Sequence, residues 1–117
     1  MIAEAPDEYR QWVAAQRAPA KSPTDSVADR GREVFLTGQC AMCHNITGSV
    51  AGSHNGPDLT HLASRRTIAA GTLANTRGAL AGWIVDPQRI KPGAHMPPNQ
   101  LKPQDLDALL TYLQSLK

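Results

Sequence analysis

The sequence is short of several things at once, and each shortage excludes something. Its 117 residues include two cysteines, three positions apart, so no disulfide framework can hold the chain together. Five side chains are aromatic (Tyr9, Trp12, Phe35, Trp83 and Tyr112), few for a self-sufficient core of this size. No stretch approaches the ~20 apolar residues of a membrane span. No segment alternates apolar and polar residues with period two, which argues against a half-buried sheet, and no internal repeat is visible. Charge is also sparse. Twelve basic and ten acidic residues leave a net +2, divided as −1 over residues 1–28 and +3 over residues 29–117. That imbalance is too small to predict a nucleic-acid or anionic-lipid surface. A secretory leader is not apparent either, because Glu4, Asp7 and Glu8 follow Met1 closely.

What is present is helical. Residues 5–16 predict a short helix with Asp7 and Glu8 at its positive end. Residues 18–28, rich in Ala, Pro, Lys, Ser and Thr, read as a linker, and the main domain is expected to span 24–117. Its first helix starts with Asp25 or Ser26 as N-cap and stops at Thr37-Gly38, with Val27, Gly31, Val34 and Phe35 on one face. A second helical piece is expected from Asp58 to about Arg65. A third follows Asn75-Thr76, presents Leu80, Trp83 and Ile84, and ends at Asp86-Pro87. The last runs from Pro103 with Leu106, Leu109, Leu110, Leu113 and Leu116 at three-four spacing. The fold class is all-α.

Both cysteines lie in Cys40-Ala41-Met42-Cys43-His44, the attachment signature of c-type haem. One tight turn puts two thiols on one side, where each can form a thioether to a vinyl group, and aims His44 at the iron. A covalently bound porphyrin also supplies the flat apolar surface that the aromatics do not; burial contributes at about 25 cal/mol per Å². Two rival readings of the thiol pair fare worse. A redox dithiol belongs in a βαβ context, and this chain has no strand pattern. A structural zinc site needs four ligands, and His54 and His61 would have to come from a glycine-rich loop without ligand spacing.

A six-coordinate iron needs a second ligand from elsewhere. Met96, in Lys91-Pro92-Gly93-Ala94-His95-Met96-Pro97-Pro98, is the expected one, because the prolines stiffen a loop that can then hold a thioether in place. Met42 lies inside the attachment turn and Met1 at the chain end. His95, His54 and His61 are the competing ligands, and an open distal position is the remaining alternative. Adjacent residues of an extended loop point opposite ways, so only one of His95 and Met96 can face the iron.

Gly31-Arg32-Glu33-Val34-Phe35, Cys40–His44, Gly56-Pro57-Asp58-Leu59, Trp83-Ile84-x-Asp86-Pro87, Lys91-Pro92-Gly93 with Met96-Pro97, and Tyr112-Leu113 together resemble class I cytochrome c over residues 24–117. The resemblance implies that fold, one haem c per chain, a crossing of Gly31 and Phe35 with Tyr112 and Leu113, and a Pro57 carbonyl that accepts from Nδ1 of His44. Trp83 is expected as core beside the haem, with its indole N–H within reach of a propionate as an alternative. Arg65 and Arg66 precede Thr67–Thr76, which resembles the family's haem-edge loop. One of the two is a candidate propionate partner, and a solvated pair is the other reading.

A narrower resemblance links Thr67-Ile68-Ala69-Ala70-Gly71, Asn75-Thr76 and the segments after them to the cytochrome c domain of subunit II in caa-type oxidases. Pro6-x-Glu8-Tyr9-x-x-Trp12 is similar to the end of the copper domain in those subunits. It implies that residues 1–23 are an extension and linker, and that the chain is a C-terminal piece of a membrane-anchored subunit, not catalytic by itself. It would take electrons from a soluble donor and pass them to a binuclear copper domain, in the periplasm or on the outer face of the cytoplasmic membrane. Nucleic acid is not an expected partner. A free-standing periplasmic cytochrome c is the alternative, and a haem c peroxidase or gas sensor a more distant one.

Overall fold

The computed structural model describes residues 3–117; Met1, set aside above as an iron ligand, lies outside them, as does the start of the predicted extension. Five helices appear in order: α1 (Pro6–Arg17), α2 (Ser26–Thr37), α3 (Arg77–Val85), α4 (Pro87–Ile90) and α5 (Pro103–Ser115). Two short 3₁₀ turns, Cys40–Met42 and Leu62–Ser64, and a hairpin of two two-residue strands, β1 (Thr67–Ile68) and β2 (Leu73–Ala74), lie between them. Among the described residues no helix is long and apolar enough to cross a membrane.

The helix ends follow side-chain chemistry. Oδ1 of Asp25 accepts the Ala28 N–H at 2.9 Å and so caps α2. The Thr76 hydroxyl does the same for Ala79 at the start of α3. Asp86-Pro87 stops α3 and restarts the chain as α4, with Pro at the first position, where its missing N–H is harmless. Pro103 plays that part in α5.

The centre of the domain is the crossing of α2 and α5. Gly31 makes it possible: a Cβ there would sit 2.8 Å from Cβ of Tyr112 and would overlap the Ala108 carbonyl. Phe35 and Tyr112 then meet edge to face, ring centroids 6.2 Å apart. Leu109, Leu110, Leu113 and Leu116 bury the apolar face of α5 against Ile46, Leu62, Ile68, Leu80 and Ile84. Arg77 ties the start of α3 to α5 through Asp107 and Gln114.

Three expectations change. The buried stripe of α2 is Ala28, Gly31 and Phe35, while Val27 is exposed, because the close backbone approach at Gly31 rotates the helix. The helix expected over 58–65 shrinks to one 3₁₀ turn, since the backbone and side chains of residues 57–60 are committed to His44, Asn45 and Thr47. The linker does not stand off in solvent. The Ala20 N–H donates to the Thr47 carbonyl at 2.8 Å, the His61 ring donates to the Ala18 carbonyl at 3.0 Å, and Ala20 packs on the core. Helix α1 itself has no buried residue, and its Tyr9 and Trp12 stack on each other at 6.0 Å in the open.

Candidate functional site

Gly38 ends α2 and delivers the chain into the Cys40–Met42 turn. Cys43 and His44 both donate their N–H to the Cys40 carbonyl, at 3.1 and 2.9 Å, which winds the two thiols onto one short coil. Both thiols are unpaired and half-buried. Burial pushes the Cys40 thiol above its ordinary value, and the neighbouring Cys43 adds to the shift. Met42 points outward and is 70% exposed.

His44 is held from one side. Its Nδ1 donates to the Pro57 carbonyl at 2.7 Å, which fixes the tautomer and leaves the Nε2 lone pair available. The imidazole lies close against Gly56, where a Cβ would be 2.7 Å from Cε1 and 2.8 Å from Nδ1. Gly56 in turn donates to the Cys43 carbonyl at 2.6 Å, so the two segments are laced at successive residues. Two unpaired thiols on one turn, with an imidazole presenting a free Nε2, form a donor set that fits a covalently attached, iron-bearing porphyrin.

Behind the histidine is a network that residue type alone did not reveal. Asn45 donates from Nδ2 to Oδ2 of Asp58 at 2.8 Å, and its backbone carbonyl accepts the Leu59 N–H. Oδ1 of Asp58 accepts the Thr60 N–H at 2.7 Å, and the Thr60 hydroxyl accepts the Thr47 N–H at 2.9 Å. The Arg65 guanidinium closes the loop on the Asp58 carbonyl. Burial would raise the Asp58 carboxyl, but the bonds from Thr60 and Asn45 and the charge of Arg65 outweigh it and hold the group below its ordinary value. Asn45 beside His44 and Asp58 and Thr60 after Pro57 were the available signal, since such residues bond backbone in turns.

The other predicted residues fall as follows. Met96 is half-buried and packs on the core, while the adjacent His95 is exposed. Trp83 is half-buried against the same core. Arg65 is engaged with Asp58, whereas Arg66 is exposed. His54 is exposed; His61 is half-buried, with its ring bonded to the Ala18 carbonyl. The 67–76 loop turns through Ala69 and Ala70, both with positive φ, before Gly71. Among the described residues no group of three or more His, Cys, Asp or Glu side chains converges as a metal-binding cluster.

Comparison with known proteins gives the family of the chain. The family model for cytochrome c matches residues 28–117. Cytochrome c oxidase subunit 2 of Alkalihalophilus pseudofirmus is 40% identical over 118 aligned positions, which cover all of this chain and 34% of the relative. The subunit 2 of a Bacillus species (strain PS3) is 35% identical over 95% of this chain, and that of Bacillus subtilis 27% over 94%. The chain spans about a third of the length of these curated relatives.

Proposed function

The chain belongs to the cytochrome c family, and from that premise we propose that Cys40 and Cys43 attach one haem c covalently, that His44 and Met96 are its axial ligands, and that the domain relays single electrons within a terminal oxidase. Its fold is that of class I cytochrome c, and electron transfer is the activity of such a domain. When bound, the haem supplies a one-electron Fe(III)/Fe(II) couple, and His/Met ligation raises its potential.

The chain's own residues hold that couple still. Pro57 and Gly56 set the rotation of His44 and keep its proton on Nδ1, so Nε2 can donate throughout. Met96 is turned inward by a loop whose neighbour His95 faces solvent. With His44 and Met96 both holding the iron, the chain would leave no position for a substrate, and its own residues would have little to rearrange as the charge changed. Arg66 and Trp83 are the candidates for a propionate, while Arg65 is already bonded to Asp58. The donor is read as a soluble redox protein meeting an exposed haem edge through a small transient contact. The acceptor is read as a binuclear copper domain of the same subunit, on the outer face of the cytoplasmic membrane; the names of the relatives support the oxidase subunit as the setting.

The observation that carries the reading is the His44–Pro57 bond beside two unpaired thiols. Denatured haem-loaded protein should keep its haem in mass spectrometry and offer no reactive thiol; haem extracted by acidic butanone would overturn the attachment. Met96→Ala should abolish the Met–Fe(III) charge-transfer band and lower the potential, while Met42→Ala leaves both unchanged. Absence of that band in the unaltered protein, with the ligation changed by His95→Ala and not by Met96→Ala, would move the ligand by one residue. Electron transfer to copper in the longer subunit should proceed at a rate independent of protein concentration, because the tether replaces diffusion.

A further inference from the structure

The loop that carries Met96 is short of internal hydrogen bonds. Pro92, Pro97 and Pro98 have no N–H to give, and within Lys91–Met96 a single backbone bond, Ala94 N–H to the Lys91 carbonyl, closes a turn. Gly93 takes φ +87, open to glycine. The remaining backbone groups need partners from outside. One side chain supplies three of them. Oε1 of Gln88 accepts the Gly93 N–H at 3.1 Å, and its Nε2 donates to the Ala94 carbonyl and, at 3.1 Å, to the carbonyl of Met96 itself. A primary amide is the side chain that can give and accept at one end in this way.

Gln88 is also firmly based. It sits on α4 next to Pro87, whose side chain is fully buried, and Asp86 caps the same turn by accepting the Arg89 N–H. Past the methionine, Asn99 donates to the carbonyls of Pro97 and Ile84, and its N–H donates to that of Val85. The loop is thus tied on both sides of Met96, and Gln88 is the tie that reaches the methionine's own peptide group.

We propose that Gln88 is a positioning residue for the distal ligand: its amide fixes the backbone from which the Met96 thioether is presented, and so sets how readily that thioether is displaced. The proposal rests on the reading of Met96 as an iron ligand. An outside ligand binds only in the state where the thioether is away, so its apparent affinity rises with the population of that state.

The test is an imidazole titration of the ferric, haem-loaded protein. Gln88→Ala removes all three bonds. Gln88→Glu keeps an acceptor for Gly93 but sets a carboxylate against two carbonyls. Each variant is expected to bind imidazole about tenfold more tightly, the worth of roughly one net hydrogen bond, and to show a weakened Met–Fe(III) band. Leu110→Ala, a core change outside the loop, should lower the melting temperature and leave imidazole affinity unchanged. Wild-type affinity and band in whichever Gln88 variant folds, or an equal gain in Leu110→Ala, would overturn the proposal. Met96→Ala separates the two readings. A band that survives it removes the ligand assignment, whereas a band lost there and intact in the Gln88 variants removes only the role of Gln88.

Discussion

Nδ1 of His44 and the carbonyl oxygen of Pro57 are 2.7 Å apart, and the ring that makes this bond rests on the bare α-carbon of Gly56. The two contacts act together: the carbonyl sets the rotation of the ring, and the glycine leaves the space for that rotation. Gly56→Ala would put a methyl 2.7 Å from Cε1, an overlap that either moves the ring or parts the two segments. It should destabilise the haem-loaded protein by about 1–3 kcal/mol and shift its potential. Pro57→Ala keeps the carbonyl and should be milder in both. Thermal melts and redox titrations check this, and equal effects from the two changes would mean that the glycine contact does not constrain the histidine.

Acid should loosen the same region through Asp58. Its carboxyl is held below the ordinary value in the folded protein, so the folded state binds its proton less readily than the unfolded chain. The stability this contributes is fully present above the ordinary carboxylate value of about 4 and is lost as pH falls through the lower folded value. Asp58→Asn can satisfy only one of the two donors, Asn45 and Thr60, that the carboxylate accepts from. It should be less stable at neutral pH, with a flatter loss of stability below about pH 4. Unfolding midpoints measured across that range test the sign; parallel curves for both proteins would exclude Asp58 as the source.

Much of this was legible because the signals were local. The Asp25 and Thr76 caps, the Gly38 stop and the proline start of α5 depend on a few neighbouring residues, and all lie where spacing put them; the single turn of α4 after Pro87 was not expected. The Cys40–His44 turn and the Pro57 carbonyl were legible from motif and resemblance. What failed was long-range. The piece at 58–65 had helical composition, but the side chains of Asp58 and Thr60 and the N–H of Leu59 bond to residues 45–47, some thirteen positions earlier. Linker composition at 18–23 gave no hint of the Thr47 and His61 groups waiting to receive it. Gln88 fell between the expected helices and drew no expectation, and only the fold brings the peptide groups of Gly93, Ala94 and Met96 to its amide.

The α2–α5 crossing should be intolerant of any side chain at Gly31. Even the β-carbon of Gly31→Ala would overlap the Ala108 carbonyl, and Gly31→Val adds branching. Losses of about 1–3 kcal/mol are expected, larger for valine. Leu113→Ala, in the buried face of α5, should cost about 2–5 kcal/mol through the cavity it leaves. Denaturant unfolding gives both numbers. A Gly31→Ala protein of unchanged stability would show that the two helices can part without loss.

The extension offers a test that separates composition from structure. By composition residues 1–23 form one dispensable unit, and deleting all of them should leave the domain unchanged. The contacts put the break elsewhere. No residue of α1 is buried, so removing residues 1–17 should leave the melting temperature, spectrum and potential of the haem-loaded protein where they were. Residues 18–23 are different, because Ala18 accepts from His61, Pro19 lies against Gly48 and Ala20 donates to Thr47. Removing them as well withdraws a partner from the His61 ring and from the Thr47 carbonyl. At about 0.5–1.5 kcal/mol net for each bond, the longer deletion should lower stability by roughly 1–3 kcal/mol, still with an unchanged haem spectrum. Melting curves of the two truncations side by side decide the matter. Identical curves would mean that 18–23 is a free tether after all, and a loss already complete at residue 17 would mean that α1 packs on the domain.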